Sequence, residues 1–183
     1  MLFSGANGSG KTTLANSILE SNMRFVNADE IKVKEKLSSV AAGKKALLSI
    51  DELISKKTSF SFETTMSGLG LRKRFYQLKK NNYEIVILYL FAYPTELFIE
   101  RIIERVKKGG HLVEDNDVIR RYYRSLLNFW NIYKNYADEW AIVNNNEFQY
   151  KNIVVGNNNI INIIDICEFE KFKEALQYAK TCK

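Results

Sequence analysis

Gly5-Ala6-Asn7-Gly8-Ser9-Gly10-Lys11-Thr12, directly after the apolar pair Leu2-Phe3, decides how the rest of the chain is read. It satisfies the Gly-x4-Gly-Lys-Ser/Thr phosphate-loop pattern at every required position. Glycine at 5, 8 and 10 admits backbone conformations closed to other residues, so successive amide N–H groups can curl around a phosphate. Lys11 then supplies a point charge to the β- and γ-phosphates and Thr12 a hydroxyl to Mg²⁺. The helix that opens there, through Thr13, aims its positive end at the same anion. A Gly-rich turn ahead of any helix is the plainer alternative. Against it, strand, loop and helix follow in the order the motif needs, since Thr13-Leu14-Ala15-Asn16-Ser17-Ile18-Leu19 reads as helical.

Outward from the loop, composition sets the bounds. A chain of 183 residues, 46% of them hydrophobic, can bury one ordinary core. One domain over residues 1–183 is expected, with a lid at about 101–124. The net charge of +6, from 27 basic and 21 acidic side chains, suits an anionic ligand, but a lysine-rich surface gives the same figure. No nucleic-acid partner is expected. Cys167, Cys182 and the single histidine, His111, form neither a disulfide framework nor a zinc pattern, which fits a reducing cytoplasm. The longest apolar run, Ile85 to Tyr93, falls far short of the ~18 residues that span a bilayer, and no export signal opens the chain. A soluble cytoplasmic protein without a membrane partner is expected.

The remaining segments alternate. Strands are predicted at 24–27, 58–65, 84–91 and 139–143, with a hairpin pairing 149–155 and 160–166 across 156–159. Helices are predicted in two pieces between 30 and 57, then over 69–80, 95–107 (opened by Pro94), 117–136 and 168–180. This order predicts an α/β fold: a P-loop NTPase three-layer sandwich with a mostly parallel sheet, a helical lid and a C-terminal β-hairpin plus helix. Ligands in such folds gather beyond the carboxyl ends of the strands, where the phosphate loop, Asp29 and Glu63 all fall.

A kinase also needs a group that orients an acceptor hydroxyl and takes its proton. Asp29 is the first candidate for that base, although it also suits an N-cap on a helix beginning at Glu30. Glu63 can hold acceptor hydroxyls or a Mg²⁺-bound water, or be the polar end of an edge strand. Arg101 and Arg105 lie four apart on one predicted helix. Arg120, Arg121, Arg124 and Asn128 share a polar stripe on another, opposite Ile119, Tyr122, Tyr123, Leu126 and Trp130. These flanks bracket Gly109-Gly110-His111 and suit a lid that brings guanidinium groups to the transferred phosphate, where one arginine is worth roughly 10³-fold or more. A solvated helix face is the plainer reading of each arginine, as it is for Arg72-Lys73-Arg74. His111 is a candidate substrate contact, not a metal site.

Together these pieces resemble the zeta-toxin family of phosphate-loop kinases, in a short bacterial branch often labelled predicted ABC-type ATPases. The resemblance rests on Gly5 to Leu14, Asn27-Ala28-Asp29-Glu30-Ile31, Phe62-Glu63-Thr64-Thr65-Met66-Ser67-Gly68, Arg105-Val106 with Gly109-Gly110-His111, Ile119-Arg120-Arg121-Tyr122, and Ala137-Asp138-Glu139-Trp140. It implies ATP-dependent phosphorylation of a sugar hydroxyl on a nucleotide sugar, best known for UDP-N-acetylglucosamine. Asp29 is then the base, and Arg105 and Arg120 act with Lys11 in catalysis. Arg101 and Arg121 bind the nucleotide, while Glu63 and Thr65, with Ser67 and His111, line the acceptor pocket. An antitoxin protein is an implied partner. Position 67 is serine where better-known toxins have arginine, and no Leu-Ser-Gly-Gly-Gln signature supports the ABC label. Another small-metabolite kinase, an ATP-driven switch module and an inactive scaffold are the competing readings.

Overall fold

The structure is a computed structural model that describes residues 1–93, 115–145, 149–157 and 159–181. The predicted helix over 95–107 and the loop around His111 lie outside them. The described chain runs β1 (Leu2–Gly5), α1 (Lys11–Ile18), β2 (Arg24–Val26), α2 (Ala28–Glu35), α3 (Ser39–Ser55), β3 (Phe60–Thr64), α4 (Arg72–Lys80) and β4 (Val86–Phe91). It continues through α5 (Asp115–Asn131), a 3₁₀ turn (Tyr133–Tyr136), β5 (Glu139–Asn144), β6 (Lys151–Asn157), β7 (Ile161–Ile163) and α6 (Ile166–Thr181).

Seven strands form one sheet in the order β2-β3-β1-β4-β5-β6-β7. The first five are parallel and the last two antiparallel, as the α/β reading requires. Strand β1 sits near the centre with Leu2, Phe3 and Ser4 all buried, and its alternation divides the core. Phe3 and Leu90 face α1 through Leu14 and Ala15. Leu2, Ile87, Tyr89 and Phe91 face the opposite, larger layer, which holds Ile50 and Ile54 of α3, Phe75 of α4, Leu126 and Phe129 of α5, and Phe172 of α6. There Tyr89 stacks on Phe129 with ring centroids 4.4 Å apart, and its hydroxyl bonds Ser125 Oγ at 3.0 Å. Burial pushes the Tyr89 phenol well above its ordinary pKa, so it stays neutral.

Four differences from the sequence expectations have tertiary causes. The predicted helix 117–136 breaks at Ile132 (φ −125°, ψ −65°), and the 3₁₀ turn that follows seats Tyr133 against Phe75, centroids 5.0 Å apart. The helix expected from Leu69 begins at Arg72, because Tyr133 donates to the Gly68 carbonyl at 2.8 Å and fixes the preceding loop. Gly156 lies inside β6 and not in the hairpin turn: the Trp140 indole crosses it, and a β-carbon there would stand 2.4 Å from that ring. Finally, Arg74 is not a solvated side chain. It pairs with Asp51 at 2.6 Å and ties α4 to α3.

Candidate active site

The carboxyl ends of β1 and β3 meet in register, with Phe3 beside Glu63 and Ser4 beside Thr64. Partners in a parallel ladder share a face, so Glu63 points to the same side as Phe3, where α1 lies. The result is a 2.8 Å hydrogen bond from Thr12 Oγ1 to Glu63 Oε2, joining residues 51 positions apart. The loop that carries Thr12 and the Glu63 strand end are therefore in direct contact.

The loop itself is held in an inward-facing cradle. Gly5, Gly8 and Gly10 have φ of 139°, 77° and 91°, and Gly10 directly precedes α1 in the left-handed region. Lys11 is buried at 7% exposure, and its Nζ donates to the Ala6 carbonyl at 2.8 Å. Two residues missed in the sequence brace the loop from outside. Asn145 Nδ2 donates to the Ser9 carbonyl at 2.8 Å and Tyr150 donates to the Gly10 carbonyl at 3.1 Å. Within the loop, the Ser9 amide donates to the Ala6 carbonyl at 3.2 Å, so that carbonyl accepts from both Ser9 and Lys11. The Asn-rich run at 144–146 reads as a turn in the sequence. Its signal was positional, since Asn145 follows the carboxyl end of a parallel strand.

Asp29 is exposed in the first turn of α2. The capping role weighed for it belongs to Asn27, whose Oδ1 accepts from the amides of Asp29 (2.9 Å) and Glu30 (3.4 Å). The segment after β3 is fixed on itself. Met66, fully buried, has φ 56°, and its amide donates to Thr64 Oγ1 at 3.1 Å. Thr65 Oγ1 and Ser67 Oγ are 3.0 Å apart. Asn128 departs from the predicted arginine stripe and donates to the Met66 carbonyl at 2.9 Å, so α5 holds this loop in place. A non-glycine residue at positive φ inside such bonds is the kind of strain found at ligand-binding loops.

On α5, Arg120 is exposed and Arg121 half-buried, while Tyr122, Ser125, Leu126 and Phe129 make its buried face. Arg101, Arg105 and His111 lie outside the described residues. The donor set fits the groups that the motif calls for. A hydroxyl and a carboxylate in contact, Thr12 and Glu63, are the hard oxygen ligands Mg²⁺ prefers. The Ser9 hydroxyl, fully buried in the loop, has no hydrogen-bond partner among the described residues, and the buried Lys11 ammonium points back into the cradle that an anion would fill. A cavity of about 410 Å³ lies elsewhere, at the amino ends of β1, β3 and β4 beside Phe60, Phe75 and Tyr83, and contains none of these residues.

No protein-family model matches the chain. A Haemophilus influenzae protein described as uncharacterized is 29% identical over 127 residues, 67% of this chain and 91% of its own length. Among solved structures, the AvrRxo1-ORF1:-ORF2 complex with ATP contains a chain that superposes with a TM-score of 0.73 at 16% identity, over 94% of this chain. This protein spans 63% of that matched chain. The PezAT chromosomal toxin–antitoxin system of Streptococcus pneumoniae gives a TM-score of 0.62 at 16% identity, covering 98% of this chain and 83% of the other. At these identities the likeness is one of fold: the chain shares its mostly parallel α/β sheet architecture with a chain of a complex holding ATP and with a chain of a toxin–antitoxin system.

Proposed function

We propose that this protein is an ATP-dependent kinase that phosphorylates a sugar hydroxyl of a nucleotide sugar of the UDP-N-acetylglucosamine kind, acting as the toxin of a toxin–antitoxin pair. The reading is supported most by the Thr12–Glu63 contact, which joins the donor loop to the strand end expected to receive the acceptor. It draws further support from the fold shared with a complex containing ATP and with a toxin–antitoxin system.

In this reading the amides of Gly5 to Thr13 and the Lys11 ammonium bind the triphosphate, and Thr12 holds Mg²⁺ with Glu63 beside it. The ion, when bound, offsets negative charge on the β- and γ-phosphate oxygens. Asp29 orients the acceptor hydroxyl and accepts its proton. Glu63, Thr65, Ser67 and His111 line the acceptor pocket, while Arg101, Arg105, Arg120 and Arg121 bring positive charge to the phosphates from the lid.

The test is transfer of labelled phosphate from Mg²⁺-ATP to a panel of nucleotide sugars, nucleosides and dinucleotides. Lys11→Ala and Asp29→Asn should each abolish transfer, the second with ATP binding retained. Full activity in either variant would overturn the assigned roles. Ser67 is serine at the position where the resemblance has arginine, and its hydroxyl is tied to Thr65. That favours a second reading, in which another small metabolite is the acceptor, and the same panel separates the two.

A further inference from the structure

The strand at the outer edge of the sheet, β7, carries an apolar surface that the kinase reading does not use. Ile160, Ile161, Ile163 and Ile164 are 64%, 48%, 44% and 55% exposed. No strand lies on the outer side of β7 among the described residues. An open edge with exposed isoleucines on both faces is a template for pairing, and natural proteins normally blunt such edges with lysine, proline or a bulge. Here the stretch Asn152 to Glu170 contains none of Lys, Arg or Pro.

Two features indicate what covers it. The sequence Ile160-Ile161-Asn162-Ile163-Ile164 reads the same in both directions about Asn162. Paired antiparallel with itself about a two-fold axis at Asn162, every isoleucine meets an isoleucine and the one polar residue meets its own copy. The backbone direction agrees. Ile164 N–H donates to Ile153 and Ile160 C=O accepts from Asn157, so Ile160, Asn162 and Ile164 direct their backbone groups inward to β6. Alternation then turns the N–H and C=O groups of Ile161 and Ile163 to the open edge. In the symmetric pairing Ile161 faces Ile163 of the second copy, and the reverse, as two hydrogen-bonded pairs flanking a close Asn162–Asn162 pair.

We propose that β7 is a homodimer interface, a two-fold antiparallel strand pairing centred on Asn162 that continues the sheet from one copy into the other. The molecule carries +6, yet this segment is free of cations, and its nearest acid, Asp165, lies beyond the strand, where it accepts from the Glu168 amide ahead of α6. A central polar residue among apolar ones fixes register, since a shifted pairing sets an asparagine against isoleucine. The patch amounts to several hundred Å² a side, below the ~800 Å² of a standard stable interface, so a reversible, micromolar association is expected. Because β7 lies four strands from β1, about 19 Å away, pairing there leaves the phosphate site open.

The experiment is sedimentation of the full chain from about 1 µM to about 1 mM, a range that spans such an equilibrium. A monomer–dimer equilibrium is expected, weakened about 100-fold or more by Ile163→Lys, an exposed substitution that leaves the circular dichroism unchanged. As an independent measurement, Asn162→Cys with Cys167→Ser and Cys182→Ser should oxidise to a covalent dimer. The axial Cα pair is expected ~4.5 Å apart, within disulfide reach. Asn159→Cys in the same background should not do so, because it lies in the turn before β7 and away from the two-fold axis. A monomer across the whole range, a dimer indifferent to Ile163→Lys, or cross-linking at 159 as fast as at 162 would overturn the proposal.

Discussion

Replacing Gly10 by alanine tests whether the phosphate loop is braced from outside as the hydrogen bonds indicate. A β-carbon at Gly10 would stand 2.3 Å from Asn145 Nδ2 and 3.0 Å from the Tyr150 hydroxyl, on a backbone with φ 91°. Two costs follow. Holding alanine at positive φ costs about 1–2 kcal/mol. The clash is relieved only by moving Asn145, which is 3% exposed and bonded to the Ser9 carbonyl, and losing that bond costs about 1 kcal/mol more. Gly10→Ala alone should therefore destabilise by about 2–3 kcal/mol. In an Asn145→Ala background, where the obstacle is already gone, the same change should cost only about 1–2 kcal/mol. Urea unfolding of the four proteins gives the cycle, and titration calorimetry with ATP shows whether affinity follows. The expected coupling is about 1 kcal/mol. Additivity within about 0.3 kcal/mol would show that Asn145 and Gly10 do not meet in solution and would refute the brace.

Glu63→Gln keeps a hydrogen-bond acceptor for Thr12 but removes the charge beside it. It should leave metal-free nucleotide binding intact and raise the Mg²⁺ concentration needed for half-maximal activity by about 10–100-fold, read from a metal titration. Asp138→Asn tests a structural contact. Asp138 accepts from Lys79 Nζ at 2.6 Å and from the Ile85 amide at 2.8 Å. Burial works to raise its pKa, but these bonds outweigh it and hold the carboxyl below its ordinary value. A depressed folded pKa means stability that is fully present above the unfolded value, ~3.9, and lost as pH falls through the folded one. The variant should be about 1 kcal/mol less stable at neutral pH, a gap that closes below about pH 4 in acid-unfolding curves.

The parallel part of the fold was legible because each element carries its own local signal. Ile85 to Phe91 is a continuous apolar run and became the central strand β4, and the Gly-Lys-Thr step marked the start of α1, expected from Thr12 and observed from Lys11. What escaped depends on partners distant in sequence. Asn145 and Ser9 are 136 residues apart, Tyr133 and Gly68 are 65 apart, and Gly156 is a strand residue only because Trp140 lies across it. No window on the chain contains both members of such a pair. The same limit explains Asp29: the sequence made it the first candidate for the base with an N-cap as the plainer alternative, and only the register that starts α2 at Ala28 gives the cap to Asn27.

That division separates the two halves of the candidate site. The donor half is built from one contiguous stretch and is legible at once, while its bracing residues, Asn145 and Tyr150, come from the far end of the chain. The proposed acceptor half is a loop at positive φ on Met66, held by α5 through Asn128 and by the 3₁₀ turn through Tyr133. Under the proposed function, acceptor choice depends on how α5 sits against the 65–68 segment as well as on the side chains at 63, 65 and 67. A change at Asn128, which lies on α5 eight residues beyond Arg120, would move the acceptor loop and the arginine-bearing helix relative to each other. Truncating it to alanine should raise KM for the acceptor more than KM for ATP, because the bond it breaks holds the acceptor segment and leaves the phosphate loop intact.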